Sequence, residues 1–444
     1  MLNKIIITEF GAKEGIVSTN YIQKAVDAAN ELGDATVVIP KGVYVTGTIN
    51  LGNASLYLEK GAILKGSSNP EDYYDNGFVH NEMIETISLL FSKENDGISI
   101  TGEGVIDLNG SAFFDYEKRE TPNVPGELTV EQILECTVTY SFRPTQPLFF
   151  YKCNNMKVEG VTILDAPCWT LSFHDCENLR LQNLTITSDF VIPNGDGMHF
   201  CGCRKVFIQG CNINTGDDCI ALSAITDWNK PCEDFVISNC ILRCNSKAIV
   251  LGYMHSVIKN ICISNCIIKD SQRGICIMAS TGTGLIEHIL VENVKIDTRV
   301  RVGNWWGNGE PICIFALYHH NSSYLFDAPD RKWDININDV QFRNISCEAE
   351  NLIGIIGENN NVQNITIDGM YYKRKMSNNS YIKGINKVDI SPSEKTIEVD
   401  DEKDTYWLYT EGCKNIKIKN TNIEEFHGEK LNAIICSCEN VEIS

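Results

Sequence analysis

Phe235-Val-Ile-Ser-Asn239-Cys-Ile-Leu is followed 26 residues later by Ile261-Cys-Ile-Ser-Asn265-Cys-Ile-Ile, and these two phrases decide the fold. The same template runs back through Val206-Phe-Ile-Gln-Gly210-Cys-Asn-Ile, Leu179-Arg-Leu-Gln-Asn183-Leu-Thr-Ile and Met156-Lys-Val-Glu-Gly160-Val-Thr-Ile, and forward to Ile289-Leu-Val-Glu-Asn293-Val-Lys-Ile. Measured at its Asn or Gly, the steps are 23, 27, 29, 26 and 28 residues, and the template resumes at Asn344, Gly369 and Asn420. Short β-branched runs flank one position reserved for residues that tolerate left-handed backbone. A repeat of this length made of short strands marks an all-β chain: a single-stranded right-handed parallel β-helix. Leucine-rich repeats have a similar length, but their leucine pattern is absent. In such a stack each coil pairs with its neighbours at about 4.8 Å and inward side chains form ladders. Cys211, Cys240 and Cys266, each following the template Asn or Gly, are expected to form one such ladder.

The ends of a β-helix need covers. Residues 1–66 are read as the N-terminal cap and first coils. A short strand at Ile5 to Thr8 leads into a helix opened by Ser18 or Thr19, with Ile22, Ala25, Val26, Ala29 and Leu32 on one face and Gly33 at its end. Runs at Thr36 to Ile39, Val43 to Thr46 and Ser55 to Leu58, divided by Pro and Gly, read as strands. The whole of 1–444 is taken as one domain. Residues 378–404 break the rhythm with charged and polar residues and are expected to be a surface excursion, as are Tyr116 to Glu135 and Thr298 to Trp333.

The chain has 444 residues, 43% of them hydrophobic, and a formal charge of −20. That charge argues against nucleic acid, whose binding depends on Lys and Arg neutralising phosphates. No segment reaches the roughly 18 apolar residues of a membrane span, and the opening Met-Leu-Asn-Lys-Ile-Ile-Ile-Thr-Glu lacks the apolar core of a signal peptide. No membrane partner is expected, and the expected location is cytoplasmic. Nineteen cysteines spread over such a chain read as reduced, small apolar side chains and not as a disulfide framework. Cys201-Gly-Cys203 has no matching Cys/His pair at zinc spacing, and His319-His320 has no partner, so no metal is assigned. The oligomeric state is not readable.

Residues one coil apart share a face, so reactive types at repeat spacing carry the chemistry. Asp196, Asp218, Lys247 and Arg273 follow one another at 22, 29 and 26 residues, with Asp217 beside Asp218. Three acids and two cations on one stripe suit protonating a leaving oxygen, activating water and holding a polar substrate. In a regular strand Asp217 and Asp218 point to opposite faces, so both serve one cleft only if Thr215-Gly216 bends the backbone. The competing reading makes Gly-Asp and Asp-Gly plain turn residues; two such pairs in adjacent coils favour chemistry.

Asn194-x-Asp196-Gly197 followed by Gly216-Asp217-Asp218-Cys219-Ile220-Ala221-Leu222, inside this repeat, resembles the polygalacturonase family, glycoside hydrolase family 28. Phe10-Gly11-Ala12-Lys13, Gly102-Glu-Gly-Val-Ile-Asp107, Arg143-Pro144 and Pro167-Cys-Trp169-Thr-Leu extend the resemblance over roughly residues 5 to 300. It implies an inverting glycosidase without metal or organic cofactor. Asp217 would be the general acid, Asp196 and Asp218 would hold and deprotonate the attacking water, and Asn194 would face the substrate. The chain departs from the family twice. Cys244-Asn-Ser246-Lys247-Ala-Ile-Val stands where the family has Gly-His-Gly, and Arg273-Gly274-Ile275 stands for its Arg-Ile-Lys, which removes one cation for galacturonate.

Lys247 has two readings, a substrate cation in compensation or the solvated end of a turn. Trp305-Trp306-Gly-Asn-Gly-Glu310 reads as a cleft wall with stacking tryptophans and a hydroxyl-binding acid, or else as a plug for the interior. His199 either reaches the cleft edge or, by strand parity, points away. The expected protein is an intracellular, exo-acting hydrolase of short, imported oligosaccharides, pectin-derived or related, with weak or absent action on unsubstituted polygalacturonate. A lyase, a sugar transferase or anhydro-forming enzyme, and a non-catalytic sugar-binding helix are the alternatives.

Overall fold

Left-handed residues set the corners of the molecule. Gly160, Asn183, Gly210, Asn239, Asn265, Asn293, Asn344, Gly369 and Asn420 all have φ between 51° and 77°. The first five bend the chain between two strands, as Gly210 does between Arg204–Gln209 and Asn212–Thr215, and the last four bend single long strands such as Thr283–Thr298 around Asn293. Space selects glycine there too, because a Cβ on Gly210 would meet Asn183 Oδ1 at 2.7 Å. Where the corner is Asn, the amides stack from coil to coil: Asn293 Nδ2 donates to Asn265 Oδ1 (3.3 Å) and Asn344 Nδ2 to Asn293 Oδ1 (3.2 Å).

The computed structural model describes residues 3–33, 35–79, 85–122, 127–223, 230–254, 256–281, 283–303, 305–317, 334–377, 386–391, 396–399 and 406–444. A parallel sheet of twelve described strands runs the length of the molecule from Ile49–Asn50 to Asn432–Cys436. The strands on either side of the Asn/Gly corners make the second, larger parallel sheet. Together they wind the chain into a right-handed parallel β-helix.

Its core is built from ladders. Leu171, Met198, Ile220, Ile249, Ile275 and Ile312 are successive register partners and all are fully buried. Phe150, Phe173 and Phe200 stack beside them with centroids 5.4 and 5.2 Å apart, each pair adding roughly 0.5–1.5 kcal/mol beyond its buried area. Cys211, Cys240 and Cys266 are each 1% exposed, as an inward ladder requires. All nineteen cysteines are free thiols, and only Cys262, Cys436 and Cys438 are not buried.

The cap helix is Thr19–Leu32, with Ile22, Ala25, Val26 and Ala29 buried and Gly33 left-handed at its end. Leu32 departs from the expected face and is 59% exposed. Ser18 precedes the helix, but its Oγ donates to Lys13 O and Ile16 O and caps no helical N–H. The early strand is Asn3–Ile6, cut short by a 3-10 turn at Ile7–Phe10.

The excursions differ from expectation. Phe114–Glu120 and Thr137–Tyr140 pair antiparallel, so the first excursion carries a hairpin. The connection after Thr298 is interrupted by Ile312–Ala316, which rejoins the twelve-stranded sheet; His319 and His320 lie outside the described residues. Within 378–404, Asn386–Asp389 and Thr396–Val399 pair antiparallel. Val388 and Ile390 are buried in an apolar cluster with Ile356 and Tyr406, so this part is packed against the helix and is not a surface excursion.

Candidate active site

The reactive residues gather where strands of the twelve-stranded sheet begin. Asp196 precedes Met198–Cys201, Asp217 and Asp218 precede Ile220–Ser223, and Lys247 and Arg273 open Lys247–Met254 and Arg273–Thr281 as register partners. The bend needed at Thr215-Gly216 is present. A Cβ on Gly216 would lie 2.6 Å from Ile192 O and 2.8 Å from Asp189 O, so only glycine lets this turn pass the coil beneath it. Thr215 Oγ1 donates to Asp217 O (3.1 Å), Asp217 N–H to Gly195 O (3.2 Å) and Asp218 N–H to Asp217 Oδ1 (3.0 Å). These bonds hold the two neighbouring carboxyls on the same side of the chain.

All three aspartates line one cavity of about 260 Å³, together with Asn194, His199 and Lys247. Its floor is an outward row of register partners, His199, Ala221 and Val250. Trp305 and Trp306 wall one side, and Glu120 and Thr137 of the hairpin stand at another.

Lys247 grips Asp218 twice at one atom. Its N–H donates to Asp218 Oδ1 at 2.9 Å and its ammonium lies 3.0 Å from that oxygen. The ammonium also donates to Ser246 Oγ (3.0 Å) and sits 5.0 Å from the centroid of the Trp306 ring. Burial opposes its charge, but Asp218 and Asp217 outweigh that and hold it protonated beyond the ordinary lysine range. Asp217 is pushed up to about 8 by burial and by the charges of Asp218 and Asp196, against the pull of Lys247. Asp196 is raised well above the carboxylate range by burial and by Asp218. Near neutral pH Asp217 therefore still holds its proton, next to the Asp218–Lys247 pair.

His199 faces the cavity. Its Nδ1 is 3.1 Å from Asp196 Oδ2 and its Nε2 3.0 Å from Ser223 Oγ, while Trp169 stacks on the ring at 3.7 Å and 17°. The parity expectation does not apply because Asp196 lies before the strand, whose alternation starts at Met198. Asn194, left-handed at φ 55°, accepts from Arg143 Nη2 (2.8 Å). Arg143 also donates to Pro167 O and Pro193 O and so fixes the approach to Asp196. Trp305 lines the cavity and donates through Nε1 to Glu135 O (3.2 Å).

Two expected substrate-binding residues are corrected. Arg273 and Glu310 are both fully buried and face each other, Arg273 Nε lying 3.3 Å from Glu310 Oε2. Asp389 completes the cluster from 3.6 Å. The Glu310 carboxylate accepts from Asn308 N–H and Asp389 N–H, and Asp389 Oδ2 from Gly307 N–H. This network locks the tryptophan loop from behind and does not face the cavity.

The strand register also moves the comparison with Arg-Ile-Lys. Ile275 and Ile277 point into the core, so a triplet whose middle residue is inward falls on Cys276-Ile277-Met278, and Met278 is a cavity residue. Trp169, Tyr253, Met278 and Glu120 carried no sequence signal as site residues. Among the described residues no group of His, Cys, Asp and Glu is arranged to hold a metal ion.

The sequence profile of Glycosyl hydrolases family 28 matches residues 30–360. The chain belongs to this family. A sequence from Arabidopsis thaliana named "Probable polygalacturonase" is 26% identical over 60% of this chain and 51% of its own length, so the chain spans about half of that relative. Two solved structures share the fold. The exopolygalacturonase of Yersinia enterocolitica superposes with a TM-score of 0.73 at 18% identity over 99% of this chain and 78% of its own. That of Thermotoga maritima gives 0.62 at 20% identity over 84% and 88%.

Proposed function

We propose that this family 28 protein is an inverting, exo-acting glycosidase that releases the terminal sugar of a short oligosaccharide, pectin-derived or related. The observation that carries this reading is the cavity: three aspartates in a space of about 260 Å³ walled by the hairpin and the tryptophan loop. With the hairpin on one side and the tryptophan loop on another, the space suits one terminal sugar ring. Asp217, protonated near neutrality, gives its proton to the leaving oxygen. Asp218, its Oδ1 held by Lys247, takes a proton from the attacking water, which Asp196 helps to hold. Trp306 offers a ring face for the sugar. We place the enzyme in a reducing compartment, because thiols stacked in adjacent coils, such as Cys211, Cys240 and Cys266, persist as thiols there.

A time course on an end-labelled oligomer tests the mode of action. One terminal sugar per step is expected, and early internal fragments would refute the closed pocket. NMR of the first product distinguishes inversion from retention. Its mass distinguishes hydrolysis from transfer or anhydro-sugar formation.

A further inference from the structure

We propose that the terminal sugar accepted by this pocket is uncharged: its polar groups are hydroxyls, not a carboxylate. The inference rests on the exo-glycosidase reading above and adds the substrate class.

The cavity brings together four carboxyl groups, Glu120, Asp196, Asp217 and Asp218, on a chain of formal charge −20. Lys247 is the one lysine or arginine among the described residues that line it. That ammonium is already bound, to Asp218 Oδ1 and Ser246 Oγ at 3.0 Å each, with the Trp306 ring covering it at 5.0 Å. A substrate carboxylate would compete with Asp218 for it and would leave Asp218 buried beside two other acids. Asp218 and a substrate carboxylate sharing this one ammonium in a buried site would repel each other strongly.

The neighbouring arginines are turned elsewhere. Arg273, one coil above Lys247, is fully buried between Glu310 and Asp389. Its neutralising carboxylates come from the chain itself. Arg143 is held by Pro167 O, Pro193 O and Asn194 Oδ1. The strand that begins at Arg273 turns Cys276 and Met278 outward, in register with Val250 and Gly252, and Val250, Gly252 and Met278 line the cavity. Where a carboxylate-binding strand needs cations, this one has a thiol and a thioether. An apolar wall with hydroxyl and amide partners suits a neutral ring with stacked C–H faces.

The test uses the full-length protein with 4-nitrophenyl α- and β-glycosides of galactose, rhamnose, xylose and arabinose, set against the galacturonides and glucuronides. A neutral glycoside should exceed every uronide in kcat/KM by roughly 100-fold or more. In parallel, calorimetry on Asp217→Asn measures binding of the free sugars without turnover. A neutral sugar should bind and the uronates should not compete with it. Glu120→Lys, which puts an unpaired cation at the rim, should narrow the preference about tenfold. Preferred turnover or tighter binding of a uronate overturns the proposal and leaves the glycosidase reading standing. Binding of neutral sugars without turnover of any glycoside supports the proposal and sinks the glycosidase reading. No binding of any neutral sugar at millimolar concentration overturns the proposal.

Discussion

Asp217→Asn should abolish turnover and at the same time make the protein more stable near neutral pH. The native carboxyl is moved from 3.8 to about 8 by burial and by Asp218 and Asp196. A proton is therefore held by the folded protein and lost by the unfolded chain between these values. The unfolded state binds fewer protons over that window, so stability is full below about pH 4, falls as pH rises and levels off above about 8. At pH 7 about three units of the shift are expressed, a ceiling of about 4 kcal/mol at 1.36 kcal/mol per unit. The amide never ionises and escapes this term. The asparagine carbonyl can still accept from Asp218 N–H, and because the neighbouring charges of Asp218 and Asp196 set part of the shift, a gain of about 1–3 kcal/mol at pH 7 is expected. At pH 4 the difference should vanish. Denaturant midpoints of both proteins from pH 4 to 8 measure it, and kcat should fall at least about 10²-fold. Wild-type kcat itself should decline above about pH 8 as Asp217 loses its proton. A variant that is less stable at pH 7, or a stability difference independent of pH, would refute the assignment of Asp217 as the buried, protonated acid.

Lys247→Met should cost about 3–5 kcal/mol of stability, because it leaves Asp218 buried without its ammonium, and should lower kcat more than it raises KM. Lys247→Arg should recover part of both, and unchanged kcat in the methionine variant would remove Lys247 from the site. Arg273→Met strands Glu310 and Asp389 and should lower stability by about 3–5 kcal/mol; a melting temperature equal to wild type would show that the buried cluster is not coupled to folding. Trp306→Ala should raise KM about tenfold, in keeping with roughly 1–2 kcal/mol of ring contact, and unaltered KM would argue against stacking on the sugar.

The coils were legible because one backbone conformation recurs: Asn or Gly at each left-handed corner leaves a mark in the sequence. The aspartates were legible because turn residues in adjacent coils fall on one stripe. Arg273 was misread for a physical reason. Repeat spacing places a residue along the stack but does not say what neutralises it, and the partner Asp389 lies 116 residues away with no periodic relation. Strand parity counted from Asp196 does not place His199, because Asp196 lies outside Met198–Cys201. Trp169 appeared within a resembling phrase, yet only the packing reveals that it lies flat on His199.

The contact between Arg273 and Asp389 also sets an order of assembly. A β-helix grows by adding each coil to the last, and its neighbouring contacts are satisfied as soon as the next coil arrives. The wall of the pocket is an exception. Gly307 and Glu310 wait for the backbone and side chain of Asp389, which emerge only after another stretch of helix has been laid down. A chain ending before residue 386 would contain all three cavity aspartates and a stack of coils, but its tryptophan loop would lack the bonds from Asp389. A chain made from its N-terminus therefore has the three cavity aspartates, and the Gln272 that bonds Trp305 O and Gly307 O, before Asp389 can add its bonds to the loop.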